Sequence, residues 1–402
     1  MITFAIIMLS ILPGSLYLDT PNLNLIALDY PAISENIVIM VSTLPLLAAI
    51  PACLLAPVLC KRFGYKPTSI FGALVLGLGG FAPFFLHNFT VLLGCRIVAG
   101  IGYGLLFVIP VNAVGLLIPP EKQAGMYGVV TATSVLSFSI FSIIGGWFGN
   151  MGMSVVWLAH LVVFVLFIPF LLFFPAHFTA EDRLAAPQEP TREQKKVSGA
   201  LPITFFVVLL LHMVASGQGV LPMNYMSYII DDRGLGGSSM SGVIIAIMPF
   251  IGFFASLFVG KAVVIFKRSA VFFYAILATI GIFTVGAAHS LPMLMIGGIL
   301  VGADNGTYSC AFVHVSWLVP PEKQETANSI ITAGLMAAGF FMLYIPTLII
   351  HILNLPETYG TQMTVAAIVY AIVAVLFFVL FRVGSFKKSI DASLARDAEN
   401  AA

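Results

Sequence analysis

The sequence predicts an all-α membrane protein, with twelve transmembrane helices in two pseudo-symmetric six-helix halves. Three observations predict it. First, 60% of the 402 residues are hydrophobic and 9% are charged, with a mean hydropathy of +1.05. A soluble domain carries roughly 25% charge. There is too little polar surface here to cover a water-soluble particle, and disorder needs the opposite composition. Second, apolar runs of spanning length recur from one end of the chain to the other. Third, a five-residue motif repeats at half the chain length.

A spanning helix needs about 20 mostly apolar residues. Such runs lie near 3–28, 37–59, 69–86, 90–118, 127–148, 155–174, 201–230, 240–265, 269–288, 293–319, 327–350 and 361–381. In lipid each run must satisfy its own backbone groups, which makes it a helix. Internal Gly and Pro are compatible with this. The first run has no basic leader and no small-residue cleavage site, so it reads as a spanning helix and not a signal peptide. A polar, charged stretch at 175–200 links a first half, 1–174, to a second half, 201–381, and a polar tail occupies 382–402.

Lys and Arg set the orientation. With the N-terminus inside, sixteen of the eighteen fall in cytoplasmic segments, Arg233 lies outside, and Arg96 lies within the fourth helix. This alternation supports an even helix number and two cytoplasmic termini. Composition and short loops fit a bacterial inner (cell) membrane.

The net charge of +1 argues against nucleic-acid binding. Cys53, Cys60, Cys95 and Cys310 have no paired spacing and read as packing residues. No phosphate-binding loop, His-Glu-x-x-His or Cys-x-x-Cys occurs, so neither an enzyme nor a cofactor is expected. The expected partners are a small-molecule substrate, protons and the lipid bilayer, with the chain a monomer.

Pro119-Pro120-Glu121-Lys122-Gln123 recurs as Pro320-Pro321-Glu322-Lys323-Gln324, an offset of 201, each copy after the fourth helix of its half. Gly100-x3-Gly104 is echoed by Gly302-x3-Gly306 at an offset of 202. Such small-residue spacing lets helix backbones approach closely. Parallel six-helix repeats are a transporter architecture, with the site near the midplane between repeats.

On these residues the chain resembles the major facilitator superfamily. Arg96-x3-Gly100-x-Gly102 looks like that family's fourth-helix motif. Lys61-Arg62-Phe63-Gly64-Tyr65-Lys66 looks like the basic end of its loop between helices two and three, which would make Arg62, Gly64 and Lys66 gating residues. Pro57 and Lys61 stand where the loop's first Gly and its Asp are expected. Gly145-Gly146 resembles the end of the antiporter motif, with Phe141 and Ser142 in place of its Gly-Pro. Leu18-Asp19-Thr20 is loosely similar to a drug-exporter motif. The resemblance implies that helices one, four, seven and ten line a central cavity.

Each of those four helices carries an ionisable residue at depth: Asp19, Arg96, His212 and Asp304. Charge at membrane depth is costly and usually functional. His160, near the outer end of helix six, is the main exception elsewhere. Asp19 lies ~24 Å from the inner end of helix one and Arg96 ~9 Å from the outer end of helix four, by helical rise. In a ~30 Å core these depths nearly match, which predicts an ion pair. The alternative is a snorkelling Arg96, with Asp19 capping a break near Pro21.

Ser15, Asp19 and Asn22 share one helix face, as do Asp304, Thr307 and Tyr308, with Asn305 adjacent. The candidate substrate-binding residues are therefore Asp19, Asn22, Arg96, Tyr103, His212, Asp304, Asn305 and Tyr308. A carboxylate without a cation beside it in a low-dielectric medium takes up a proton readily. Asp304 is the first candidate proton carrier and Asp19 the second. His212 is either a relay or a satisfied core residue, and His314 reads as structural.

Two acids against one base lean toward neutral or cationic cargo. The expectation is proton-coupled efflux of drug-like apolar or cationic molecules. The alternative is transport of a small metabolite or organic anion held by Arg96.

Overall fold

The computed structural model describes residues 1–118, 120–175, 201–320, 323–384, 386, 387 and 390. The linker at 176–200, most of the tail, and parts of both Pro-Pro-Glu-Lys-Gln copies lie outside the described residues.

Among the described residues the chain is helical, with no strand. The helices are α1 (Ile2–Asp29), α2 (Glu35–Phe63), α3 (Tyr65–Phe84), α4 (Phe89–Leu117), α5 (Pro120–Gly149) and α6 (Met153–Phe173). The second set is α7 (Ile203–Asp232), α8 (Ser238–Leu257, carried on as Val259–Phe266), α9 (Ala270–Ala287), α10 (Leu291–Leu318), α11 (Ala327–Ile352) and α12 (Tyr359–Leu380). Eleven described stretches are long and apolar enough to cross a membrane. The twelfth, α10, is not among them.

Several helices are interrupted, and the interruptions of α1 and α10 each carry a candidate carboxylate. In α1 the chain passes from α-helix (Ile2–Ile11) into 3₁₀ turns (Leu12–Leu18, Thr20–Asn22) and back to α-helix (Leu23–Asp29). Pro13 and Pro21 lack the N–H that an α-helix needs, so the turns tighten. Asp19 sits between the two 3₁₀ segments. In α10 the segments Leu291–Gly302 and Asp304–Leu318 meet at Ala303. There the Ala303 N–H donates to Leu300 O (3.1 Å) and the Gly306 N–H to Ala303 O (2.8 Å), both three-residue turns. The apolar run had predicted an unbroken helix.

The chain forms two compact units: Met1–Thr191 with Asn224–Pro249, and Arg192–Met223 with Phe250–Ala402. The outer end of α7 and the first part of α8 thus belong with the first six helices. Hydrogen bonds explain this: Tyr228 Oη donates to Leu23 O (3.0 Å), Ser139 Oγ to Ala246 O (2.9 Å) and Ser142 Oγ to Gly242 O (3.1 Å).

The first glycine stripe does what its spacing predicts. A Cβ on Gly100 or Gly104 would fall 2.4 Å from Pro45 O or 2.5 Å from Ala49 O of α2, and one on Gly102 would fall 2.5 Å from Gly72 O of α3. In the second unit Gly306 lies against the Tyr274 ring of α9. Large apolar side chains such as Leu54, Val58, Val165, Leu172 and Leu257 are exposed, as a lipid-facing surface requires.

Candidate functional site

The predicted ion pair is present in the first unit. Arg96 Nη2 of α4 lies 2.6 Å from Asp19 Oδ2 of α1, and both side chains are completely buried. His160 of α6 joins them, with Nε2 3.4 Å from Asp19 Oδ1. Asp19 therefore both occupies the helix break and pairs with Arg96.

Arg96 also donates from Nε to Val41 O of α2 at 3.0 Å. Val41 O is available because its helical partner, four residues on, is Pro45, which has no N–H. A proline in one helix thus positions the guanidinium of another. The second unit repeats the device. Pro346 removes the α-helical donor to Met342 O of α11, which accepts instead from the Ile345 N–H in a 3₁₀ turn and from Gln218 Nε2 of α7 at 2.8 Å. Gly80 makes room for His160: a Cβ there would lie 2.1 Å from the imidazole.

Asn22 is fully buried and ties α1 to α5, its Nδ2 donating to Leu18 O (3.0 Å) and Gly145 O (2.9 Å). Gly145 and Gly149 allow this approach, since a Cβ would fall 2.1 Å from Leu18 O or 1.8 Å from Asn22 Oδ1. Ser15 is buried on the same helix. Tyr103 stacks on Phe107 (5.6 Å between ring centres) within the apolar core of the first unit.

Asp304 occupies a different setting. It opens the second segment of α10 and is half-buried. Tyr370 Oη of α12 donates to its Oδ1. Gly219 of α7 abuts the carboxylate, and a Cβ there would lie 2.2 Å from Oδ2. Among the described residues Asp304 takes part in no ion pair. Asn305 packs against Gly252 of α8, and its carbonyl accepts from Ser256 Oγ (3.2 Å). Tyr308 is half-buried beside the Phe312 ring (5.9 Å).

His212 is not isolated. Its Nε2 lies 2.8 Å from Nδ1 of His314, and both imidazoles are buried beside Phe377. The pair joins α7 to α10.

In the last turn of α2, Arg62 is exposed, 5.3 Å from the Phe63 ring centre. Gly64 has φ +90°, a left-handed conformation that favours glycine. Lys66 Nζ donates to Leu171 O (2.6 Å) and Phe174 O (3.0 Å), capping the end of α6. The second unit repeats this too, with Arg268 Nη1 donating to Phe381 O (3.2 Å) just past α12.

Sequence reasoning did not assign Tyr370, Gly219, or the partnerships of His160 with Asp19 and of His314 with His212. Tyr370 had a readable signal, because a buried phenol in an apolar helix needs a hydrogen-bond partner. The other contacts join helices distant in sequence.

A family profile described as the Major Facilitator Superfamily matches residues 2–284. Curated relatives are purine ribonucleoside efflux pumps named NepI from Shigella sonnei (strain Ss046) and Shigella dysenteriae serotype 1 (strain Sd197). Each is 28% identical over 120 residues, which is 29% of this chain and 30% of the relative. The chain thus matches under a third of those relatives' length. Among solved structures it resembles a D-xylose-proton symporter (TM-score 0.70, 15% identity, 94% of this chain and 98% of that one). It also resembles a bacterial homolog of the human lysosomal transporter Spinster in an inward-facing, unoccupied conformation (TM-score 0.72, 13% identity, 97% and 98%). At such identities the likeness shows the fold alone. Helices, repeat, fourth-helix motif and profile agree: the chain belongs to the major facilitator superfamily.

Proposed function

We propose that the chain exports neutral or cationic small molecules in exchange for protons, by alternating access, with Asp304 as the proton carrier. The observation that carries this reading is the contrast between two carboxylates. Asp19 is neutralised by Arg96 in full burial, whereas Asp304 has a tyrosine hydroxyl and, among the described residues, no ion-pair partner. A carboxylate without a counter-charge is costly in a low-dielectric interior, and protonation removes that cost. The Tyr370 hydroxyl can remain hydrogen-bonded to the carboxyl in either state.

The anion-cargo alternative needs an accessible guanidinium. Arg96 is fully buried and engaged by Asp19 and Val41, which favours uncharged or cationic cargo. Purine ribonucleosides join drug-like cations on the first panel, because the curated relatives are named for their export.

The test is proton movement in everted membrane vesicles energised to an acidic interior. Lipophilic cations, purine ribonucleosides and small organic acids are added in turn. Release triggered by cations or nucleosides supports the reading. Release triggered by acids alone overturns it in favour of anion transport.

A further inference from the structure

The second unit contains a cavity that takes no part in the scheme above. It has a volume of about 470 Å³ and is lined by Phe266, Lys267, Arg268, Ser269, Arg382 and Lys387. The end of α8 and the turn before α9 supply the first four, and the chain just after α12 supplies the other two. Four of the six are cations and none is a carboxylate. Like charges gathered around one space repel one another unless an anion enters.

The wall is also ordered for an anion. Arg382 Nη2 donates to Ser269 Oγ (2.6 Å) and Nη1 to Phe378 O (2.7 Å), and its guanidinium lies 3.5 Å over the Phe378 ring. Arg268 is held by Phe381 O. Fixed guanidiniums suit phosphate, and lysines add charge without demanding one geometry. The surroundings point to a lipid source. Val264 is 77% exposed and Ile265 70% exposed, on the helix leading into the cavity, and Val383 is exposed beside Arg382. Acyl chains can lie on this apolar border while a headgroup enters the basic cavity.

The first unit has only half of this arrangement. Lys66 caps α6 as Arg268 caps the end of α12, but the sequence after α6, Pro175-Ala176-His177-Phe178, offers no counterpart to Arg382 and Lys387.

We infer that this cavity is a binding site for the phosphate headgroup of an anionic phospholipid in the leaflet that the Lys and Arg distribution assigns to the cytoplasm. Basic pockets between transmembrane helices on that side are suited to such headgroups.

The test uses the purified full-length protein in neutral detergent, titrated with short-chain phosphatidylglycerol or phosphatidylcholine and read by native mass spectrometry. The wild type is expected to prefer phosphatidylglycerol by about tenfold, and Lys267→Gln/Lys387→Gln to lose most of that preference. That pair leaves the Arg268 and Arg382 hydrogen bonds in place, so an unchanged melting temperature is expected. Lys61→Gln/Arg62→Gln removes equal charge elsewhere and should keep the preference. A wild type without preference, a Lys267/Lys387 variant that retains it, or an equal loss in the control pair would overturn the site. Glycerol phosphate competing as well as the lipid would overturn the lipid assignment in favour of a soluble phosphate.

Discussion

Arg96 contacts two helices at once: its Nη2 lies 2.6 Å from Asp19 of α1, and its Nε donates at 3.0 Å to the Val41 carbonyl of α2 that Pro45 leaves vacant. The pair is an internal brace of the first unit. Asp19→Asn strands a buried guanidinium and should cost about 3–5 kcal/mol. Arg96→Lys keeps the charge but loses the fork geometry, and should cost about 1–3 kcal/mol. Thermal unfolding in detergent checks both. An Arg96→Lys variant of unchanged stability but weakened cargo binding would instead mark Arg96 as a cargo contact.

Gly219 is required by Asp304. Gly219→Ala would place a methyl 2.2 Å from the carboxylate oxygen with no change in charge. The carboxyl must move away from Tyr370, or α7 must shift. The expected outcome is near-normal expression, a stability loss of about 1–3 kcal/mol, and strongly reduced cargo-driven proton release. Unchanged release would show that the position of Asp304 is not critical.

Gly146 carries the contact between α5 and α8. A Cβ there would lie 2.4 Å from Ser238 O and 2.9 Å from the Gly242 Cα. Gly146→Val should lower thermal stability by at least about 1–3 kcal/mol, while Gly128→Val on the same helix, with nothing within 4 Å of its Cβ position, should be mild. Equal effects of the two would dismiss the packing argument.

The buried histidines should behave as a unit. His212→Phe leaves His314 without its imidazole partner and should cost about 1–3 kcal/mol. Replacing both should cost less than the sum of the single changes, as a double-mutant cycle can measure. Additive losses would mean that the 2.8 Å contact contributes no net coupling.

The features legible in the sequence were those set by periodicity and depth. Twelve apolar runs give the helices, and the position of Asp19 and Arg96 along α1 and α4 was enough to predict their pairing, because an unpaired charge in the core is disfavoured. The third member, His160, was seen only as an exception, since its approach to Asp19 depends on the space that Gly80 leaves in α3. The break at Ala303 was hidden because Gly302-Ala303 fits an apolar helix pattern as well as it fits a tight turn. Tyr370 and Gly219 define the setting of Asp304, yet they come from α12 and α7, whose contact with α10 is a tertiary fact. Asn22 was a candidate cargo contact because it shares a face of α1 with Asp19, and Tyr103 was a candidate on α4. In the structure Tyr103 stacks on Phe107, and Asn22 donates to Leu18 O and Gly145 O.

The most direct test separates proton movement from cargo movement in Asp304→Asn. Wild type and variant are compared in proteoliposomes at matched density, for cargo-driven proton release and for cargo exchange at equal pH on both sides. If Asp304 carries the proton, Asp304→Asn abolishes proton release yet still exchanges cargo, because the neutral side chain mimics the protonated state. An Asp304→Asn variant that still releases protons with cargo at the wild-type ratio would contradict the account.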